Sequence, residues 1–228
     1  MKDLKHLIYF ESLLEDANNE LVRRAEAEGD LAIGYTCFHA PEVLLNLGNC
    51  FSVRLRAPHT NSMELATYYM ANNSCEFSRA LLERALEGNY SFLHAMAGVD
   101  VCEANNRAIE NMEIMHMQGE DKEKFFYCNL DIPYSDDEDC VEHICELVSR
   151  KILKPLRENY GVDTSDAAIR AAVREHNEVC RILTEIGELR KLDIPPITGY
   201  EFAVLVLVSY TCPKRLILPL LRETLEEI

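Results

Sequence analysis

Three cysteines in the first half of this 228-residue chain are placed where thiolates could bind a soft metal. Cys37 follows the apolar run 31–35, Cys102 follows the run 92–97, and Cys75 precedes a predicted helix. If the runs are parallel strands, all three thiols reach one edge of a sheet, as iron–sulfur ligands do. Spacing alone leaves a second interpretation open, in which each thiol is a small buried hydrophobic group.

The other six of the nine cysteines carry weaker signals. No Cys-x-x-Cys occurs, which argues against a zinc ribbon or a thioredoxin-type pair. The odd count also argues against a fully paired disulfide framework. We expect these six to be structural, mostly on the core faces of strands and helices: Cys50, Cys128, Cys140, Cys145, Cys180 and Cys212.

Several charged and imidazole side chains are further candidates for chemistry. His39 lies two residues past Cys37, where it could donate a proton or a hydrogen bond to a substrate carbonyl or a leaving hydroxyl. The alternative is a loop histidine without a chemical role. Glu42 is interpreted as a first-turn carboxylate that favours the helix dipole, and His176 as a packing residue within a helix. Arg54 and Arg56 could attract phosphate groups of a cofactor, although arginines are common at strand ends.

Strands and helices alternate in the part of the chain that must position these residues. The predicted strands cover 31–35, 51–55, 92–97 and 125–130, and the predicted helices cover 4–28, 41–47, 63–70, 76–86 and 105–117. This alternation predicts an α/β fold, a doubly wound, four-stranded parallel sheet flanked by helices. Ligands of such sheets bind beyond the carboxyl ends of the strands.

The pattern changes after Pro133, and only helical periodicities follow. An acidic helix start at 135–139 leads into one helix, and Thr164-Ser165-Asp166 caps a long second one. We therefore predict two units. Residues 1–133 form the α/β domain with the candidate cluster cysteines, and residues 134–228 form an all-helical lobe.

Charge and hydropathy exclude some partners. The net charge of −16 argues against nucleic acid, because phosphate binding requires clustered Lys and Arg. The longest apolar run, 202–208, is too short to cross a bilayer, so we expect no membrane association. The first residues do not read as a signal peptide, and we expect a cytoplasmic protein.

Three ordered stretches resemble one known family, the 2-hydroxyacyl-CoA dehydratases, which also includes benzoyl-CoA reductase subunits and double-cubane-cluster proteins. The first stretch is Gly34-Tyr35-Thr36-Cys37 with Pro41-Glu42, followed by Gly48 and Val53-Arg54-Leu55-Arg56. The second has Asn73, Cys75, Phe77 and Arg79 at the family's spacing. The third comprises Cys102-Glu103 with Arg107 nearby. In addition, the section 189–199 is similar to the helical part of the family.

The resemblance implies a lyase of anaerobic amino-acid fermentation that acts on (R)-2-hydroxyacyl-CoA. It implies a [4Fe–4S] cluster bound by Cys37 and Cys75, with Cys102 as a further candidate metal ligand, and it makes His39 the candidate catalytic residue. An ATP-dependent activator protein would deliver one electron, which the cluster passes to the thioester carbonyl. The resulting ketyl radical expels hydroxide. A homologous partner subunit would complete a heterodimer.

The sequence also departs from the family pattern. Phe38 stands where Ser is common, and Val43 stands where a second Glu is expected. Family members continue into a second α/β domain, which supplies the third cluster cysteine and which we expect to be absent from this chain. Two alternatives therefore stay open. One is a benzoyl-CoA reductase-like or double-cubane-cluster reductase subunit, and the other is a cluster-free relative that docks or stabilises a partner.

Overall fold

Four short apolar runs pair into one all-parallel sheet in the computed structural model, which describes residues 4–115 and 123–228. The strands are β1 (Leu31–Tyr35), β2 (Cys50–Arg54), β3 (Ala95–Val99) and β4 (Phe126–Leu130), in the spatial order β2-β1-β3-β4. Because all three pairings are parallel, every strand ends at the same edge. The predicted α/β fold with a four-stranded parallel sheet is confirmed.

The crossovers between the strands return the chain over the sheet. A 3₁₀ turn, Glu42–Leu45, connects β1 to β2, helix α3 (Glu76–Leu86) leads to β3, and helix α4 (Glu103–Ile114) leads to β4. Gly98 allows α4 to pack closely on β3, since a Cβ atom there would lie 2.8 Å from Cδ1 of Ile109. This close approach fixes the start of α4 beside the sheet edge.

The predicted N-terminal helix is wrong in one respect, because residues 4–28 contain two helices. They are α1 (Leu7–Leu13) and α2 (Glu20–Ala27). The Asn19 side chain accepts hydrogen bonds from the backbone N–H groups of Leu21 and Val22 and starts the second helix. Such a cap starts a new helix, so the preceding helix ends even though the apolar spacing continues past it.

Other boundaries shift by a few residues. The helices predicted at 41–47 and 63–70 are single 3₁₀ turns, Glu42–Leu45 and Ala66–Tyr68. The third strand begins at Ala95 instead of residue 92, which moves its end to Val99, close to Cys102. The helix predicted at 105–117 begins at Glu103, and its last two predicted residues lie outside the described ones.

Helices account for most of the second half of the chain. They are α5 (Glu138–Val148), a π-helical turn (Ser149–Leu153), α6 (Lys154–Tyr160), α7 (Asp166–Leu189), α8 (Gly199–Thr211) and α9 (Lys214–Glu227). One group of their side chains packs on a face of the sheet: Leu147, Val148, Ile152, Leu156 and Ala172. The opposite face is covered by α2, α3 and α4.

A separate core joins the two ends of the chain. Side chains of α7, α8 and α9 pack there against the N-terminal residues Leu4, Phe10 and Leu13. The helices after Pro133 therefore contact both the sheet and α1. Within the described residues, none of the helices has the length and apolar character needed to span a membrane.

Candidate functional site

The three predicted ligand cysteines lie in segments that begin at the carboxyl edge of the sheet. Cys37 is two residues past the end of β1, and Cys102 is three residues past the end of the neighbouring strand β3. Cys75 ends the connection from β2 and directly precedes α3. All nine cysteines are free thiols. Cys75 and Cys102 are exposed, and Cys37 is half-buried, so the chain leaves these three accessible to a ligand.

A buried hydrogen bond connects two of these segments directly. Nδ2 of Asn105, in the first turn of α4, donates to Oγ1 of Thr36 over 2.9 Å. Thr36 is the neighbour of Cys37, and Asn105 follows Cys102 by three residues. The bond therefore holds the loop after β1 against the start of the helix that Cys102 precedes.

The backbone around Cys75 favours the thiolate form of its side chain. The backbone N–H of Ser78 has the largest effect, and with that of Phe77 it lowers the pKa of the Cys75 thiol below its ordinary value of 9.0. Exposed N–H groups in the first turn of a helix favour negative charge, which is the form that binds a metal.

The loop before Cys75 is held by Arg79, another residue of the resemblance. Its guanidinium donates from Nη1 to the carbonyl oxygen of Asn72 over 2.9 Å. Arg79 is buried, and its Nε atom has no hydrogen-bond partner among the described residues. The arginine thus acts on the position of Cys75 through the backbone.

His39 lies in the turn after Cys37 and is exposed. Its ring contacts the edge of Phe38, with centroids 6.1 Å apart and planes at 80°. An exposed imidazole at this edge has space for a ligand beside it. No other contact fixes its orientation in the described part of the chain.

A large apolar side chain is exposed beside each of these cysteines. They are Phe38, Phe77 and Val101, of which Phe38 is the most exposed at 74%. A second polypeptide over this edge would bury both the apolar groups and the thiols.

Within residues 4–115 and 123–228, no group of three or more His, Cys, Asp or Glu side chains is arranged to hold a metal ion. The fold thus brings the three cysteine segments to one edge, but the side chains present do not complete a metal site there. A cluster at this edge would need a side-chain rearrangement or a ligand from elsewhere.

Sequence reasoning missed a buried charged network beside this edge. Oε1 of Glu42 accepts a hydrogen bond from Oγ of Ser52 over 2.7 Å and pairs with Nζ of Lys214. Nδ1 of His176 lies 3.2 Å from Oε2, without the alignment of a good hydrogen bond. Burial would raise the pKa of Glu42, but His176, Lys214 and Ser52 outweigh it and lower the pKa to about 2.

His176 extends this network to a thiol. Its Nε2 atom lies 3.4 Å from Sγ of Cys180, one turn further along α7. Cys180 is exposed, as is Cys145 on α5, so the predicted places of both thiols in the core are wrong. The spacing of four residues was visible in the sequence, but the third member, Glu42, comes from a loop 134 residues earlier. Only the fold could bring it to α7.

The chain has a parallel α/β fold, a class in which the loops after the strands usually carry the ligand site. The 2-hydroxyglutaryl-CoA dehydratase D-component family matches residues 37–228, and the chain belongs to that family. The predicted resemblance is thereby confirmed. The match includes all three candidate cysteines.

A curated relative supports the same assignment. The chain is 19% identical over 180 residues to the (R)-phenyllactyl-CoA dehydratase beta subunit of Clostridium sporogenes. The alignment covers 79% of this chain and 46% of that protein. The chain thus spans about half the length of the relative that it matches.

Proposed function

We propose that this chain is a component of an enzyme that eliminates water from (R)-2-hydroxyacyl-CoA. The observation that carries the proposal is family membership across residues 37–228. The relative with a phenyllactyl-CoA dehydratase name points to the same reaction class. The difficulty of this elimination is that the C3 proton of the substrate is not acidic, so a one-electron route through a ketyl radical is the mechanism that we propose.

In this proposal Cys37 and Cys75 hold a [4Fe–4S] cluster, and Cys102 is the further candidate. When bound, the cluster supplies a low-potential electron and, at an iron without a protein ligand, a Lewis acid. The lowered pKa of Cys75 and the Asn105–Thr36 bond support ligation at this edge. If Cys102 is not the third ligand, that ligand would come from outside the described residues, in keeping with the absence of a preformed three-ligand group among them.

His39 is proposed as the polar partner of the substrate. It would donate a hydrogen bond to the thioester carbonyl or a proton to the leaving hydroxyl. Its exposure at the cysteine edge leaves space for the acyl group. Substitution by glutamine, which keeps a donor but cannot supply a titrating proton, separates these two roles.

The proposal also needs partners. A homologous subunit would cover the exposed Phe38, Phe77 and Val101, and an ATP-dependent activator protein would supply the electron. The family is named after the D-component of 2-hydroxyglutaryl-CoA dehydratase. A component is one part of a larger enzyme, and this is consistent with such an assembly.

The test measures iron and acid-labile sulfide in the full gene product, purified without oxygen, together with its electronic spectrum. We expect bound iron and sulfide together with a visible thiolate-to-iron charge-transfer band, because cysteine thiolates are the ligands of such clusters. The variants Cys37→Ser and Cys75→Ser should lose most of the iron. The matched control is Cys145→Ser, which removes an exposed thiol of α5 that is not among the candidate ligands.

Iron-free protein, or equal iron in Cys75→Ser and Cys145→Ser, would contradict the cluster. Iron-containing protein that is active only in the reduction of an aromatic acyl-CoA would point to the benzoyl-CoA reductase-like alternative. A specific observation also favours the cluster-free alternative, since the described side chains form no three-ligand group while apolar groups flank the cysteines. Iron-free protein that still forms a tight hetero-oligomer would support that docking role.

A further inference from the structure

A cleft of about 510 Å³ opens at the carboxyl ends of β1 and β2, between these strands and helices α7 and α8. Its apolar wall consists of Phe38, Ala40, Pro41 and Val43. Cys75 and Cys102 do not line it. Its volume is in the range of small-molecule sites, and an apolar wall with a few polar groups is their usual composition.

One polar group in this wall lacks a partner. The Tyr35 side chain is only 2% exposed, yet its hydroxyl group has no hydrogen-bond partner within the described ranges. Burial is the main reason that the pKa of Tyr35 is raised, so the group stays protonated and can donate. Buried hydroxyl groups are normally satisfied, and this one belongs to a residue of the cleft wall, so an acceptor on a ligand could pair with it after a small side-chain adjustment.

Arg54 provides a cation beside this hydroxyl. It is the register partner of Tyr35 at the last pair of β1 and β2, so both side chains leave the same face of the sheet. Its guanidinium stacks on the ring of Tyr210, 5.6 Å from the centroid. No carboxylate among the described residues pairs with it. A stacked, unpaired guanidinium presents its fork of donors to an anion.

Glu42 is the carboxylate in the wall, and its charge is already compensated. Lys214 and Ser52 occupy its Oε1 atom, and His176 lies beside Oε2. The guanidinium of Arg54 is therefore left for a second anion. A ligand that carried a negative charge would complete the pairing without competing with Lys214.

We propose that this cleft binds a small monocarboxylic acid with an apolar body. The carboxylate would accept hydrogen bonds from the Arg54 guanidinium and the Tyr35 hydroxyl, and the body would contact Phe38, Pro41 and Val43. The inference goes beyond the proposed dehydratase, since it requires neither iron nor coenzyme A. Acid binding in the cleft and the proposed dehydratase function can therefore be tested separately.

Cys180 lines the same cleft and serves as the reporter. The full chain, prepared without iron, is alkylated with iodoacetamide, and the rate at each cysteine is followed by peptide mass spectrometry. We expect 3-phenylpropanoate or 4-methylpentanoate to slow alkylation of Cys180 about five-fold or more at saturation, because a bound ligand fills the cleft. Cys145, exposed on α5, should react at an unchanged rate.

The neutral analogue 3-phenylpropanamide tests the charge. It should bind about ten-fold more weakly, since a hydrogen bond to an ionised group is the stronger kind. An amide that protects Cys180 as well as the acid would overturn the proposal. So would an absence of protection at millimolar acid.

Two variants test the donors. Arg54→Gln and Tyr35→Phe should each weaken protection about ten-fold, since each removes one donor to the carboxylate. Tyr35→Phe keeps the ring and deletes only an unpartnered hydroxyl group, so folding should be retained. The matched control is Arg190→Gln, which removes a guanidinium similarly stacked on Phe202, outside this cleft. Unchanged protection in both donor variants, with normal folding, would overturn the proposal.

Discussion

Glu42 shows how one residue connects distant parts of this fold. Its carboxylate is contacted from β2 by Ser52, from α7 by His176 and from the start of α9 by Lys214. Both Glu42 and Lys214 are buried. Removal of one member of a buried pair leaves the other charge without compensation, which costs more than the intact pair contributes.

We therefore expect Glu42→Gln to lower the free energy of unfolding at neutral pH by on the order of 3 kcal/mol. The folded pKa of about 2 lies below the ordinary 4.5, so this contribution is present above pH 4.5 and is lost as pH falls towards 2. Urea denaturation at several pH values measures the free energy of unfolding and checks this pH dependence. The stability of the wild type should fall more steeply than that of Glu42→Gln over this interval.

The double variant Glu42→Gln/Lys214→Met is the control for the unpaired lysine. It should be more stable than Glu42→Gln alone, because no uncompensated charge stays buried. Equal stability of the wild type and Glu42→Gln at neutral pH would show that the carboxylate is not ionised in the pair.

The sequence could not reveal this network, although it predicted the segments of the cysteine edge. Cys37 and Cys102 follow short apolar runs, and a local pattern is enough to predict a strand and its end. Glu42 and Lys214 are 172 residues apart, and a first-turn glutamate looks the same in sequence whether it faces solvent or a lysine. Long-range pairing of charges has no local signal.

Among the helices described, α8 has the most complete N-terminal capping motif. Thr198 accepts a hydrogen bond from the Glu201 backbone N–H, and the Glu201 carboxylate accepts one from the Thr198 backbone N–H. The helix is apolar on nearly all sides and packs against α1, α7 and β2. This capping box fixes where such a uniform helix begins, which its apolar pattern cannot do.

Thr198→Ala should lower the free energy of unfolding by about 1 kcal/mol, because it leaves first-turn N–H groups without an acceptor. Chemical denaturation monitored by circular dichroism measures the change. Thr184→Ala is the matched control, since its hydroxyl bonds the Cys180 carbonyl within α7 on an exposed surface. That variant should stay within about 0.5 kcal/mol of the wild type. Equal losses in both variants would contradict a specific role of the cap.

Capping also explains which element boundaries were predictable. Ser165 caps α7 with a hydrogen bond from the Ala168 backbone N–H, and the sequence predicted that start. Asn19 caps α2 in the same way, but an unbroken apolar stripe hid it. The 3₁₀ turns at Glu42–Leu45 and Ala66–Tyr68 were predicted as longer helices because composition does not distinguish one turn from three.

At the scale of the molecule, the predicted division at Pro133 separates parts that contact each other. Side chains from 134–228 cover one face of the sheet, among them Leu147, Val148, Ile152 and Leu156. Burial of such a side chain contributes roughly 1.5–3 kcal/mol, or about 6–12 kcal/mol for the four. That amount is comparable to the whole stability of a typical domain, roughly 5–15 kcal/mol.

We therefore expect a fragment of residues 1–133 not to fold independently. Loss of the covering helices would expose Ile33, Ala97 and Leu130 on the sheet, and loss of Lys214 would leave Glu42 unpaired. The fragment should bind a hydrophobic dye and unfold without a cooperative transition, whereas the full chain should show one sharp transition by circular dichroism. A monodisperse fragment with a sigmoidal unfolding curve would instead show that the first 133 residues suffice for a core, and the packing of α5, α6 and α7 on the sheet would then be an interface between two independently stable units.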